Sequence, residues 1–126
     1  MEQKICLDTD ICIEILKDTQ KGRELLETIK NDLVFVSSIT IFELYLRETN
    51  IGKIDFFVDK FDIINFDILS ARLASNILKD LSKKGFIIEF RDIFIAASCI
   101  INNCPLLTLN KKHFDKIDEL NLINLK

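Results

Sequence analysis

The sequence predicts an α/β domain on a mainly parallel sheet of about five strands. Two observations carry that reading. Short runs rich in apolar residues recur at Ile5–Leu7, Leu33–Val36, Phe61–Phe66, Leu106–Leu109 and Leu122–Leu125. Such runs suit strands buried on both faces, as in a sheet covered by helices. Between them lie segments with apolar residues at helical spacing, and strand–helix alternation is the mark of a parallel sheet.

The first strand, Ile5–Leu7, runs straight into Asp8-Thr9-Asp10. Asp8 then falls at a strand's carboxyl end, where open α/β sheets place their ligands. Asp10 precedes Ile-Cys-Ile-Glu-Ile-Leu and reads as the cap of a helix ending near Lys17. Asp18-Thr19 offers a second cap, followed by Leu25, Leu26 and Ile29, and Asn31-Asp32 ends that helix. Leu33–Val36 is the second strand. Ser37-Ser38 breaks it and starts a helix over residues 39–48, with Glu43 among its apolar residues. A Glu near a helix's amino end can be an exposed acid favoured by the dipole or an inward-pointing ligand, and composition alone favours the first.

Asn50-Ile51-Gly52 reads as a turn, Ile54–Val58 as a short helix and Phe61–Phe66 as the third strand. Asp67 caps a long helix through Leu81, stopped by Lys83-Lys84-Gly85. Residues 86–91 read as a loop or brief extended piece. Asp92 then opens a helix to about Asn102, whose Ala96, Ala97 and Ser98 allow close approach to a strand. Asn103-Cys104-Pro105 turns the chain into the fourth strand, which ends at Asn110. Lys111–Phe114 forms a loop or short helix ahead of the last strand.

Composition narrows the options. The 126 residues, 48% hydrophobic and 29% charged with one Pro and three Gly, suit one folded domain spanning 1–126. No apolar run approaches a membrane span, and the acids near the N-terminus argue against a signal peptide, so the cytoplasm is the expected location. Cys6, Cys12, Cys99 and Cys104 form no C-x-x-C pair and read as reduced, packed thiols. A net charge of −3 argues against a broad basic nucleic-acid surface. It leaves room for an enzyme that meets phosphates through a metal held by its acids.

Asp8, Glu43, Asp92 and Asn110 all fall where strand and helix meet, so all can lie at one edge of the sheet. That coincidence turns isolated caps into a candidate cluster. Several carboxylates aimed at one place repel each other unless a cation neutralises them, which suits Mg²⁺ or Mn²⁺ with oxygen ligands.

At LDTDICIEIL, SSITIFEL, RDIFIAASCI and LLTLNKKHF the sequence resembles a PIN domain, most closely a VapC-type toxin of toxin–antitoxin systems. The resemblance implies a three-layer α/β/α domain and a metal-dependent endoribonuclease, usually a homodimer, restrained by a cognate antitoxin. It implies an acidic centre of Asp8, Glu43 and Asp92, with Asp8 and Asp92 the foremost Mg²⁺ ligands. Asn110 stands where many relatives carry a fourth acid. Thr9 and Thr108 match supporting hydroxyls, while Asp10 and Asp115 are candidates for the missing charge. His113 is expected to pack the loop, and Arg47, Arg72 and Arg91 are candidates for phosphate contacts. Two alternatives stand beside this reading. One is a catalytically weak binding module that docks a partner through the acidic patch. The other takes Asp8-Thr9-Asp10 as part of an aspartyl-phosphate phosphatase, whose remaining motifs are not evident.

Overall fold

A computed structural model describes residues 3–125. Strand β1 (Lys4–Leu7) leads through helices α1 (Thr9–Leu16) and α2 (Gln20–Ile29) to β2 (Leu33–Ser37). Helices α3 (Ser38–Arg47) and α4 (Ile51–Val58) precede β3 (Asp62–Ile64). Helices α5 (Ile68–Lys83) and α6 (Phe90–Ile101) precede β4 (Leu106–Leu107), which is followed by a 3₁₀ turn, Lys111–His113. The four strands form one parallel sheet in the order β3-β2-β1-β4, with helices on both sides.

Alternation along the strands divides the core. Ile5, Leu7, Val36 and Leu107 point to one face, against Ile11, Leu25, Leu44 and Ile54 of α1–α4. Cys6 and Leu106 point to the other, against Ala74 and Ile77 of α5 and Ile93, Ala96 and Cys99 of α6. Consecutive residues of β1 therefore serve different cores, and an all-apolar strand is what such a position demands. All four cysteines are buried and unpaired, as packed thiols.

Local signals explain most boundaries. Thr19 caps α2 by accepting from the Gly22 N–H at 2.9 Å, and Asp67 caps α5 by accepting from the Ser70 N–H at 2.9 Å. Gly85, just past α5, takes a positive φ of 82°, the left-handed stop expected after Lys83-Lys84. Gly22 is required for a different reason. A Cβ there would lie 2.2 Å from the Glu14 carbonyl oxygen, so a residue without one lets α2 close onto α1.

The structure differs from the sequence reading at several places. The fifth strand, expected over Leu122–Leu125, contracts to a single parallel bridge between Leu106 and Leu122. Two backbone bonds hold it, Leu106 N–H to Asn121 O and Ile123 N–H to Leu106 O, each 2.9 Å. Its neighbour β4 is only two residues long and offers little more to pair with. Asn50-Ile51-Gly52 is the start of α4 rather than a separate turn, because the Asn50 side chain accepts from the Lys53 N–H at 3.1 Å and caps the helix. Helix α6 begins at Phe90, ahead of Asp92. Among the described residues, no helix is long and apolar enough to cross a membrane.

Candidate active site

Strand register assembles the site. Leu7 pairs with Val36 on one side and Leu107 on the other. The residues that follow, Asp8, Ser37 and Thr108, therefore stand side by side at the carboxyl edge of the sheet. The Asp8 N–H donates to the Leu107 carbonyl at 2.9 Å, which fixes where its side chain starts. Asp8 then turns into α1 as its N-cap, with Oδ1 accepting from the Thr9 N–H at 2.8 Å. The cap expected of Asp10 thus belongs to Asp8, because the helix begins two residues earlier than the apolar pattern suggests.

Asp10 has another role. From the first turn of α1 its Oδ2 reaches the loop after β4, accepting from the Leu109 N–H at 3.0 Å and the Asn110 Nδ2 at 3.1 Å. Its Oδ1 is buried with no hydrogen-bond partner among the described residues. Thr108 stands between the two acids. Its hydroxyl donates to Asp8 Oδ2 at 2.7 Å and accepts from the Asn110 N–H at 3.0 Å, while Asp10 Oδ2 lies farther off at 3.4 Å. A hydroxyl has one proton to give, and the shorter contact takes it.

Glu43 points inward. It lies in the middle of α3 and is only 8% exposed, so the surface position favoured by composition is not where it sits. Ser37 caps α3 and starts the helix at the sheet edge, which turns the Thr40/Glu43 face towards α1. Thr9 Oγ1 donates to Glu43 Oε1 at 2.8 Å, and the Thr40 hydroxyl lies 3.1 Å from Thr9 Oγ1. Arg91 takes the other oxygen, its Nη1 2.5 Å from Glu43 Oε2, while its Nη2 donates to Glu89 Oε2 at 2.8 Å. Glu89 sits at the N-cap of α6 but makes no side-chain capping bond, its carboxylate being engaged with Arg91. Asp92 follows in the first turn of α6, rather than at the cap the sequence assigned to it. Its Oδ2 is 3.4 Å from His113 Nδ1, joining α6 to the 3₁₀ turn.

Burial dominates the electrostatics, and like charge adds to it at Asp8 and Asp92. Burial, then the neighbouring Asp10 and, more weakly, Asp92, push the Asp8 carboxyl from 3.8 up to about 7, against the pull of Thr108 and the Thr9 N–H. Burial also raises Asp10, against the Leu109 and Ile11 N–H groups, the Thr108 hydroxyl and His113. Asp92 is raised by burial, then by Glu89 and Glu43, and held back by His113 and Arg91. All three acids thus resist full ionisation at this edge.

Of the residues singled out from sequence, Asp8, Thr9, Asp10, Thr108 and Asn110 form one hydrogen-bonded group. Glu43 joins it through Thr9, and Asp92 through its charge. Asp115 is exposed and takes no part in the network. Arg91 is built into the site, while Arg47 and Arg72 are exposed and form no ion pair among the described residues. Sequence reasoning missed Thr40 and Glu89. A Thr three residues before Glu43 in an otherwise apolar helix was the available signal for the first.

Among the described residues, no three His, Cys, Asp or Glu side chains close into a ready-made cage. The donors nonetheless fit a hard divalent cation. They are all oxygens, they repel one another, and the Asp10 oxygen is buried without a partner. Mg²⁺ suits an open site of this kind, since it binds through one or two carboxylates and keeps several waters.

The sequence profile of the PIN domain matches residues 5–120. Ribonuclease VapC2 of Rickettsia felis is 34% identical to this chain, over 94% of this chain and 95% of its own length. Ribonuclease VapC1 of Methanocaldococcus jannaschii is 30% identical, over 96% and 86% respectively. The crystal structure of VapBC2 from Rickettsia felis bound to a promoter DNA fragment contains a chain that superposes with a TM-score of 0.84. That chain is 30% identical, and the match covers 97% of this chain and 98% of that one. The chain belongs to the PIN domain family, among its VapC-type members.

Proposed function

We propose that this protein is a Mg²⁺-dependent endoribonuclease and the toxin of a toxin–antitoxin pair. The observation that carries the reading is the hydrogen-bonded group of Asp8, Asp10, Thr108 and Asn110 at the sheet edge, with Asp92 near enough to help raise Asp8. Ribonuclease activity in relatives that match nearly the whole chain supports the same conclusion. Asp8 and Asp92 are the principal metal ligands, and Asp10 supplies the charge that Asn110 lacks. A bound ion would polarise a phosphoryl oxygen and lower the pKa of a water for attack at phosphorus. Thr108 and the Thr9 N–H hold Asp8 in position, and Asn110 holds Asp10 through its amide. Glu43, with both oxygens already engaged by Thr9 and Arg91, orients water or Arg91 rather than ligating directly. Arg91 is the arginine of choice for phosphate, because its guanidinium uses only part of its donor fork on Glu43 and Glu89.

The partner is a cognate antitoxin, as the VapBC assembly of the Rickettsia felis relative suggests. Large exposed apolar side chains support such a contact or a homodimer, among them Phe42 and Leu46 on α3, Phe56 on α4 and Ile68 on α5. The protein acts in the cytoplasm, where RNA is at hand. Incubation of purified protein with RNA, with and without Mg²⁺, beside the Asp8→Asn variant, tests the assignment. Metal-dependent cutting by the wild type alone is expected. Equal cutting by both proteins would remove Asp8 from the site.

A further inference from the structure

Beside Asp92 lies a second concave feature that the acid network does not use. It is a cavity of about 310 Å³ between the α5–α6 loop and the turn around the 3₁₀ segment. That volume is at the small end of ligand sites. Phe86, Ile88, Asp92, Lys112, His113 and Lys116 are among the residues that line it. Its wall balances two lysines, Lys112 and Lys116, against two acids, Glu89 and Asp92, and both acids have partners within the protein. Lys112 and Lys116 form no ion pair among the described residues, and His113 faces Asp92. The one other acid on its wall, Glu89, is engaged by Arg91 at 2.8 Å. The cavity also presents an aromatic ring. Phe86 is 39% exposed, and Lys116 Nζ stands 5.2 Å from its centroid.

We propose that this cavity is a nucleotide subsite that holds the residue of single-stranded RNA next to the scissile phosphate, with the base on Phe86 and the phosphate on Lys112 and Lys116. The proposal rests on the ribonuclease reading above and gives that site a place for one base beside the cut. Single-stranded RNA is gripped by this combination, an aromatic face for a base and free cations for the backbone. Asp92 belongs both to the acid network and to the cavity wall, so a nucleotide seated here has its phosphate beside the acids. Aromatic stacking tolerates any base, so the subsite contributes affinity and register more than sequence choice. The net charge of −3 does not exclude RNA binding here, because Lys112 and Lys116 form no ion pair among the described residues.

The test measures binding of a labelled short single-stranded RNA in the full-length Asp8→Asn background, which avoids cleavage. Added to that background, Phe86→Leu is expected to weaken binding about tenfold while keeping apolar bulk in the loop. The loss should vanish with an RNA that lacks the base at the affected position. Lys112→Ala with Lys116→Ala should lower the slope of log K against log[salt] by about 0.7, the value for one neutralised phosphate on a single strand. A merely structural role for these residues leaves the salt slope unchanged. Unaltered affinity and slope in both variants, with the background protein still binding RNA, overturns the subsite and leaves the ribonuclease reading standing. Loss of a copurifying protein on lysine removal, without change in RNA binding, also overturns it and makes the cavity a partner site. Absence of RNA binding by the background protein, together with no cutting by the wild type, sinks both readings.

Discussion

Replacing Asp8 by Asn should make the metal-free protein more stable while it abolishes cleavage. Asp8 is 7% exposed, and burial together with Asp10 and Asp92 raises its carboxyl from 3.8 to about 7. At about pH 8, where it is ionised, that displacement corresponds to about 4 kcal/mol against the folded state. Asparagine keeps an oxygen for the Thr9 N–H but presents an amide towards Thr108, whose hydroxyl must then turn to Asp10, 3.4 Å away. Rearranging that bond costs about 1 kcal/mol, leaving a gain of about 2–3 kcal/mol. For a domain of this size the gain is a rise of roughly 5–10 °C in melting temperature. Thermal unfolding in chelator at about pH 8 and about pH 5 measures it. At the lower pH the folded carboxyl is protonated and only the unfolded one is still ionised, so the penalty falls to about 1.5 kcal/mol and the two proteins should nearly converge. Adding Mg²⁺ should raise the wild type and leave the variant where it was. A variant no more stable than the wild type at alkaline pH, or a gain that persists unchanged at acid pH, would refute the penalty of burial and crowding at Asp8.

The same crowding sets how the wild type responds to pH. Because the folded carboxyl holds its proton more tightly than the unfolded one, stability of the metal-free protein should fall as pH rises from about 4 to about 7, and Mg²⁺ affinity should rise over that range and then level off. Chemical denaturation and calorimetry across that window check both, and a flat profile counts against the assignment. Arg91→Ala leaves Glu43 Oε2 buried without its partner and should destabilise by about 1–3 kcal/mol, with Arg91→Lys recovering only part of it. Unfolding in urea reads that loss, and a neutral Arg91→Ala would show that Glu43 is held by Thr9 alone. Gly22→Ala drives a Cβ to 2.2 Å from the Glu14 carbonyl oxygen and should cost about 1–3 kcal/mol as α2 moves off α1. A melting temperature within a degree or so of wild type would mean that the two helices separate freely.

Much of this architecture is legible in the residue pattern, for a physical reason. β1 and β4 are buried on both faces, so their apolar residues are unbroken, and the polar residues that follow them, Asp8 and Asp10 after β1 and Thr108 and Asn110 after β4, stand out. Where an element's extent depends on tertiary pairing, the pattern carries less. The strand expected at Leu122–Leu125 is as apolar as the others, yet it has only two residues of β4 to pair with and is reduced to one bridge. Helix starts were misplaced at Asp10 and Asp92 for a related reason. In both helices the backbone turns before the apolar periodicity begins, so an acid that looks like a cap lies inside the first turn.

Within the site, Asp8, Glu43 and Asp92 were identifiable as a set, but their partners were not. Asp10 looked like a cap from its neighbours in sequence, and only the register of β1 with β4 brings it to Leu109 and Asn110. The inward direction of Glu43 depends on Thr9 and Arg91, which lie far away along the chain. The choice of Arg91 over Arg47 and Arg72 needed the ion pairs themselves, since all three are equally charged and equally suited to phosphate in the sequence.

On the function proposed above, carboxylates at the end of β1 run a metal-dependent cut of RNA. Its most direct test is the cleavage rate of one RNA by wild type and Asp8→Asn across a Mg²⁺ titration, with product ends mapped. Cutting at defined internal positions that rises with Mg²⁺, stops with chelator and is lost in the variant is the predicted result. Cutting that persists in chelator, or that survives the loss of Asp8, would contradict the account.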